Sequence, residues 1–271
     1  MTEARRLKSD RTKADEKIAK GCDVTVVTAA DPLIHHRNVI PAAIKQAFGA
    51  DSRYDLLSFP DFPAAFDDGA VAQLAHDVET AISLHRVEKV LVLEPDGKGQ
   101  PYAALLAHHF RGTKVEVKSA PTFVGERRSY RTLVVTCMDW RLHGEGGFLT
   151  RCLRSMPEEY GIMTVPGVVK DLAAGDKFRS RWVRGQILNG VLNRGVERIM
   201  LVSHTDCGKY GGSAAFRHNY LDEIQALRED LRLAVRLAAD HRDGSTFSLP
   251  ANVSLETAIA SLQIDALCTV F

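Results

Sequence analysis

The chain has 271 residues, and its 35 Lys and Arg nearly balance 34 Asp and Glu, for a formal net charge of +1. That length suits two ordinary domains or one large α/β unit, and the charge balance gives no general electrostatic case for nucleic acid or an anionic membrane as partner. Residues 1–20 are dense in charge without an apolar core, unlike a signal peptide, and no apolar run approaches the length of a membrane span, so a soluble cytoplasmic protein is expected. Five cysteines, Cys22, Cys137, Cys152, Cys207 and Cys268, are odd in number and widely spaced, which does not suggest a disulfide framework.

Residues 1–20 read as a charged helical arm. Beyond it, apolar β-branched runs predict strands at 24–28, 55–59, 88–93 and 114–118, and helical spacing predicts helices at 40–48, 69–84 and 102–110. Strands alternating with helices predict a parallel sheet. The stretch 119–130, with Pro121 and Gly125, reads as a boundary. Later, 132–136 and 199–203 predict strands, 181–193 a helix and 220–240 a long amphipathic helix. Near the end, 253–259 and 264–271 read as strands, with a helix over 261–267 as the alternative.

The second half repeats the first. Val26-Val-Thr-Ala29-Ala-Asp31 aligns with Val134-Val-Thr-Cys137-Met-Asp139, and Val87-Glu-Lys-Val-Leu-Val-Leu93 aligns with Val196-Glu-Arg-Ile-Met-Leu-Val202. Pro60 and Pro166 mark corresponding turns. The expected organisation is therefore the arm at 1–20, a first α/β copy at 21–125 and a second at 126–271. At the chemically interesting positions the copies differ: Ala29, Leu33, Pro95 and Lys98 stand opposite Cys137, Arg141, His204 and Cys207, while Asp31 persists opposite Asp139.

Both strands 132–136 and 199–203 stop at polar clusters, as a buried parallel strand does when it delivers side chains to its C-terminal edge. Cys137, His204 and Cys207 supply two sulfurs and an imidazole, a donor set that suits a tetrahedral zinc ion better than a hard cation. Three protein ligands leave a fourth position for water, the pattern of a catalytic site. Asp139 can accept a hydrogen bond from such a water or become a fourth ligand. A bidentate Arg141 guanidinium would hold the carboxylate off the metal.

Cys137-x-Asp139-x-Arg141, followed by His204-x-x-Cys207-Gly208, resembles the zinc signature of the β-class carbonic anhydrases, and Cys137-Met-Asp-Trp-Arg-Leu142 is similar to their smaller prokaryotic branch. The resemblance covers residues 132–216 at motif level and extends weakly over the first half. It implies one zinc per chain on Cys137, His204 and Cys207, with Asp139 and Arg141 as the catalytic dyad, and reversible hydration of carbon dioxide to bicarbonate and a proton by a zinc-bound hydroxide. In the family, releasing the aspartate onto zinc gives a closed, inactive form. Family members are dimers with sites at the subunit boundary. The expected fold is thus α/β, two tandem copies of a parallel-sheet unit forming a pseudo-dimer, the metal-free first copy serving as built-in partner; the resemblance also allows a homo-oligomer of such pseudo-dimers.

Two alternatives stand beside this reading: hydrolysis of carbon disulfide or carbonyl sulfide on the same site, and a non-catalytic bicarbonate- or zinc-binding regulator. The chain departs from the family where Thr164-Val-Pro166-Gly167 replaces an Arg-Asn-Ala-Gly segment, and the glutamine often found before the first motif is not evident. Val165, Val168 and Phe148 are candidate pocket walls. Gly208 is expected to permit a sharp turn after Cys207. His143 reads either as a proton shuttle or, preferably, as a solvated loop residue. Gly97-Lys98-Gly99 reads as a turn and the pairs His35-His36 and His108-His109 as non-chelating. His76, His85, His218 and His241 receive no role.

Overall fold

The alternating pattern becomes β1 (Val24–Ala29), α1 (Val39–Phe48), β2 (Tyr54–Phe59), α2 (Asp68–His85), β3 (Lys89–Pro95), α3 (Tyr102–His109) and β4 (Glu116–Thr122) in the computed structural model. It continues with β5 (Thr132–Thr136), α4 (Trp140–His143), α5 (Phe148–Leu153), β6 (Tyr160–Thr164), α6 (Lys177–Arg194), β7 (Arg198–His204) and β8 (Gln263–Thr269). The structure describes residues 22–32, 34, 39–49, 52–60, 68–95, 102–122, 129–143, 147–153, 159–167, 177–204, 207, 209 and 263–269. The arm at 1–20, the helix expected at 220–240, the strand expected at 253–259, Val168, Gly208, His35-His36, His218, His241 and the Gly97-Lys98-Gly99 turn lie outside them.

Among the described residues the strands form one eight-stranded sheet in the order β4-β3-β1-β2-β6-β5-β7-β8. Neighbours run parallel except β2 and β6, which meet antiparallel at Ser58 and Thr164. On one side of that joint β1 lies between β2 and β3, with β4 outside; on the other β5 lies between β6 and β7, with β8 outside. The registers match as well. Val24 pairs with Tyr54 and Lys89, as Thr132 pairs with Tyr160 and Arg198. Pro95 closes β3 against Thr122, as His204 closes β7 against Thr269.

Burial on both faces explains the apolar strands. Val24, Val26, Leu56, Leu91 and Leu93 pack with Ile40 and Ile44 of α1, while Val27, Leu57, Val90 and Val92 face the opposite cluster, in the period of two that a pleated strand imposes. Leu74, Ala75, Val78 and Ala81 recur at helical spacing along α2 and are buried. Among the described residues no helix is long and apolar enough to cross a membrane.

Polar groups at the joint are satisfied reciprocally. The Ser58 hydroxyl donates to the Ile162 carbonyl, the Thr164 hydroxyl donates to the Leu56 carbonyl, and the Ser58 amide donates to Thr164 Oγ1 at 2.9 Å. The buried Arg194, last residue of α6, donates to the Pro60 carbonyl at 2.8 Å, and the Leu56 amide donates to the Met138 carbonyl at 3.0 Å. Burial makes each such bond hard to give up, because a donor left unpaired there costs about 1–3 kcal/mol.

Two points of the sequence reading need correction. Strand β4 runs through Thr122 into the supposed boundary, which Pro121 permits because β4 is an edge strand with one side of its backbone unpaired. Strand β6 was not foreseen, since a five-residue run opening on Tyr-Gly carries little β-branched signal. The strand expected at 264–271 is present as β8, its backbone hydrogen bonds going to β7, so the helical alternative does not hold over 263–267.

Gly161 in β6 sits where no side chain fits. A Cβ there would lie 2.5 Å from Tyr130 Cζ and 2.7 Å from the Ala30 carbonyl oxygen, and the second is backbone. Gly161→Ala should destabilise the protein by about 2 kcal/mol, the usual cost of overpacking a filled core. Urea unfolding followed by tryptophan fluorescence would show it as a lower midpoint; an unchanged midpoint would contradict this packing.

Candidate metal centre

The parallel pairing of β5 with β7, from Thr132 opposite Arg198 to Thr136 opposite Val202, puts two strand ends at one edge. Cys137 follows β5 directly, His204 closes β7 and Cys207 lies three residues on. Their ligand atoms all fall within 4.8 Å of one another and all three residues are buried, so this group is compatible with a metal ion. The sulfurs of Cys137 and Cys207 are 4.0 Å apart, too far for a disulfide and close to the roughly 3.8 Å edge of a tetrahedron with metal–sulfur bonds of about 2.3 Å. Cys207 and burial together push the Cys137 thiol well above its ordinary range. Only a cation among them would make both sulfurs thiolates, which is the chemistry this donor set fits.

Gly167 completes the surroundings of Cys137. Its amide donates to Cys137 Sγ at 3.5 Å, and its positive φ of 61° is the left-handed conformation that glycine adopts without cost. A Cβ there would lie 2.4 Å from Lys209 Cβ. The turn expected at Pro166 is therefore present, with Gly167 in it, and what the sequence did not show is the contact of the Gly167 amide with Cys137. Val165 is buried in the core and Phe148 packs against it.

Asp139 acts as the N-cap of α4. Its Oδ1 accepts the Arg141 amide at 3.0 Å, while the Arg141 guanidinium grips both oxygens, Nε to Oδ1 at 3.0 Å and an Nη to Oδ2 at 2.6 Å. The carboxylate therefore rests on Arg141, with Oδ2 3.9 Å from His204 Nε2. Burial raises the Asp139 pKa, but the bonds from Arg141, with the nearby His204, outweigh it and hold the carboxyl below its ordinary value.

His143 corrects the sequence reading. It is buried, its Nε2–H donates to the Cys137 carbonyl at 2.7 Å, and burial lowers its pKa to about 4. It is neutral at physiological pH and clamps the loop that bears Cys137.

Asp55, which the sequence did not single out, and His85, to which it gave no role, pair beside the site. Asp55, wholly buried in β2, accepts the Trp140 amide at 3.2 Å through Oδ1, and its Oδ2 lies 2.5 Å from Nδ1 of the buried His85, at the end of α2. The Arg53 guanidinium lies over the Trp140 ring, 4.6 Å from its centroid. The available signal was an aspartate inside an otherwise apolar strand, which a buried sheet tolerates only with a partner. His76 and His109 also gain a partner, Glu79, at an exposed position.

Burial opposes a charged His85, yet the Asp55 carboxylate outweighs it and raises the imidazole pKa. A raised value means the His85 contribution is present below the unfolded-state pKa of about 6.5 and is lost as pH rises through the folded-state value, for as long as Asp55, whose own pKa burial raises, remains ionised. The His85 ring resonances should therefore titrate above about 6.5 by NMR, and below the native midpoint in Asp55→Asn. A native midpoint at or under the free value would contradict the ion pair.

A comparison with protein-family models and a comparison with curated proteins each find no match for this chain.

Proposed function

We propose that the chain is a zinc-dependent carbonate dehydratase of the β-carbonic-anhydrase kind, hydrating carbon dioxide reversibly to bicarbonate and a proton. The observation that carries this reading is the Asp139–Arg141 fork beside the Cys137, His204 and Cys207 donor set. Cys137, His204 and Cys207 would hold the ion. When bound, zinc supplies a Lewis acid that makes water a nucleophile near neutral pH.

The chain's own residues divide the remaining work. Arg141 bonds to both oxygens of Asp139, so the carboxylate stays ionised and anchored on the guanidinium, with Oδ2 3.9 Å from His204 Nε2. Oδ2 keeps a second lone pair, which can accept a hydrogen bond from the attacking water and so orient it towards the substrate carbon. His143 is neutral and spent on the Cys137 carbonyl, so the proton released by hydration leaves to solvent or buffer without it. Val165 and Phe148 are the apolar candidates for the wall against which a linear, nonpolar gas would sit.

The same proposal includes a duplicated chain that acts as its own dimer. The matching strand orders on the two sides of the joint, the matching registers and the reciprocal Ser58 and Thr164 bonds support it. So does the contact of β2 with the loop that carries Asp139.

Purified protein should carry about one zinc per chain, since three protein donors complete a single site, and should hydrate carbon dioxide in a stopped-flow indicator assay. Cys137→Ser and Cys207→Ser should lose the metal, whereas Asp139→Asn should keep it and lose about 100-fold in kcat, the scale of a removed proton acceptor. Equal metal loss in all three would overturn the assigned roles. Fully loaded wild-type protein inactive on carbon dioxide at neutral and alkaline pH would overturn the enzymatic reading, and faster turnover of carbonyl sulfide or carbon disulfide would move it to those gases.

A further inference from the structure

Trp140 is the hinge between the two residues of the dyad. Its amide belongs to the peptide unit that begins at Asp139, so whatever holds that N–H fixes the plane from which the Asp139 side chain departs. Three groups from outside the loop reach this one residue or its anchor. Asp55 Oδ1 accepts the amide, His85 Nδ1 holds the other oxygen of Asp55, and Arg53 covers the indole ring. All three lie before residue 90, on β2, at the end of α2 or just ahead of β2, on the far side of the antiparallel joint from the donor set.

Asp55 is fully buried. A carboxylate in such a place persists only with a counter-charge and a full set of donors. His85 supplies the charge, the Trp140 amide supplies a donor, and the Asp55 amide is itself spent on Cys22 Sγ at 3.0 Å. The first two amides of α4 are thus capped by two carboxylates, Asp139 on the Arg141 amide and Asp55 on the Trp140 amide. With both caps in place, Asp139 has no reason to turn. With the Trp140 amide released, the peptide can rotate and the Asp139 carboxylate can leave Arg141 for a nearby cation, to which it is drawn strongly.

We propose that Asp55, held by His85, is a positioning residue: it pins the Trp140 amide and thereby keeps Asp139 on Arg141 and off the bound metal. The inference rests on the metal-site reading given above and extends it to residues that touch neither metal nor substrate. It gives the ligand-free half of the sheet a definite task, which is to keep the fourth position open for solvent and substrate.

Cobalt substitution gives a test independent of turnover. In wild-type protein loaded with cobalt, thiocyanate should bind at the open position and change the visible d–d bands. Asp55→Ala should still bind cobalt one to one, yet show an altered resting spectrum and an apparent thiocyanate affinity about tenfold weaker, the effect of one lost hydrogen bond on the open fraction. Asp55→Asn, whose amide oxygen can still accept the Trp140 N–H, should restore the wild-type spectrum. Trp140→Pro deletes the same donor at a first helical position where proline is tolerated, leaves Asp55 and His85 in place, and should reproduce Asp55→Ala. A purely structural role would lower the melting temperature of these variants without moving the spectrum. Folded, cobalt-loaded Asp55→Ala and Trp140→Pro with wild-type spectra and thiocyanate affinity would overturn the proposal. Carbon dioxide hydration by the same zinc-loaded wild type is read separately, so inactivity there with the spectral differences intact would sink the proposed reaction and leave the positioning role standing.

Discussion

The parallel pairing of β5 with β7 is the interaction on which the site depends. Two strands that run the same way in register must end at the same edge, so a cysteine placed after one and a histidine placed at the end of the other meet without any long loop. Leu133, Val134, Val135, Ile199, Leu201 and Val202 are all buried, and that packing sets the strand ends rigidly before any ligand arrives. The same burial gives the donors their character. Two sulfurs 4.0 Å apart in a dry place resist ionising on their own, and such a donor set is compatible with a soft or borderline cation.

A second constraint, satisfaction of buried polar groups, couples the two sides of the sheet. At the joint it is met by reciprocal hydroxyl-to-carbonyl bonds and by Arg194 reaching Pro60. Near the site it is met by Asp55, which needs both His85 and the Trp140 amide. Each of these bonds crosses between residues before 90 and residues after 130 or serves one that does. The contacts that keep the sheet continuous therefore also orient the loop that bears Asp139 and Arg141, and no separate device is required for the two tasks.

The sequence made some of this legible for identifiable reasons. Strands β1, β5 and β7 announce themselves as apolar β-branched runs, and Cys137, His204 and Cys207 stand out because metal-binding side chains at strand ends have few other uses. Local signals failed where the answer lay in a neighbour. Pro121 argues against a strand until β4 is known to be an edge. Nothing local separates a solvated His143 from one buried against the Cys137 carbonyl. His85 and Asp55 lie on different elements, so their pairing emerges only when α2 ends over β2. The resting place of Asp139 could not be read either, because it is settled by distances of the order of a hydrogen bond, which place both its oxygens on Arg141.

Asp55 and Gly161 show how a sheet with matched registers can perform unlike tasks on its two sides. Each is the second residue of its strand, Asp55 opposite Thr25 and Gly161 opposite Leu133. At Gly161 the Tyr130 ring and the Ala30 carbonyl fill the space a side chain would need, so the position serves close packing. At Asp55 the corresponding space holds a carboxylate that reaches across to α4. The helix ends obey the same logic: His85 closes α2 and neutralises Asp55, whereas Arg194 closes α6 and binds the Pro60 carbonyl. Exchanging either member of these pairs for its counterpart would put a side chain where backbone already stands, or leave a buried amide without its acceptor. The asymmetry in side chains thus follows from packing: one position is filled by neighbouring atoms, and the other carries the acceptor that the Trp140 amide uses.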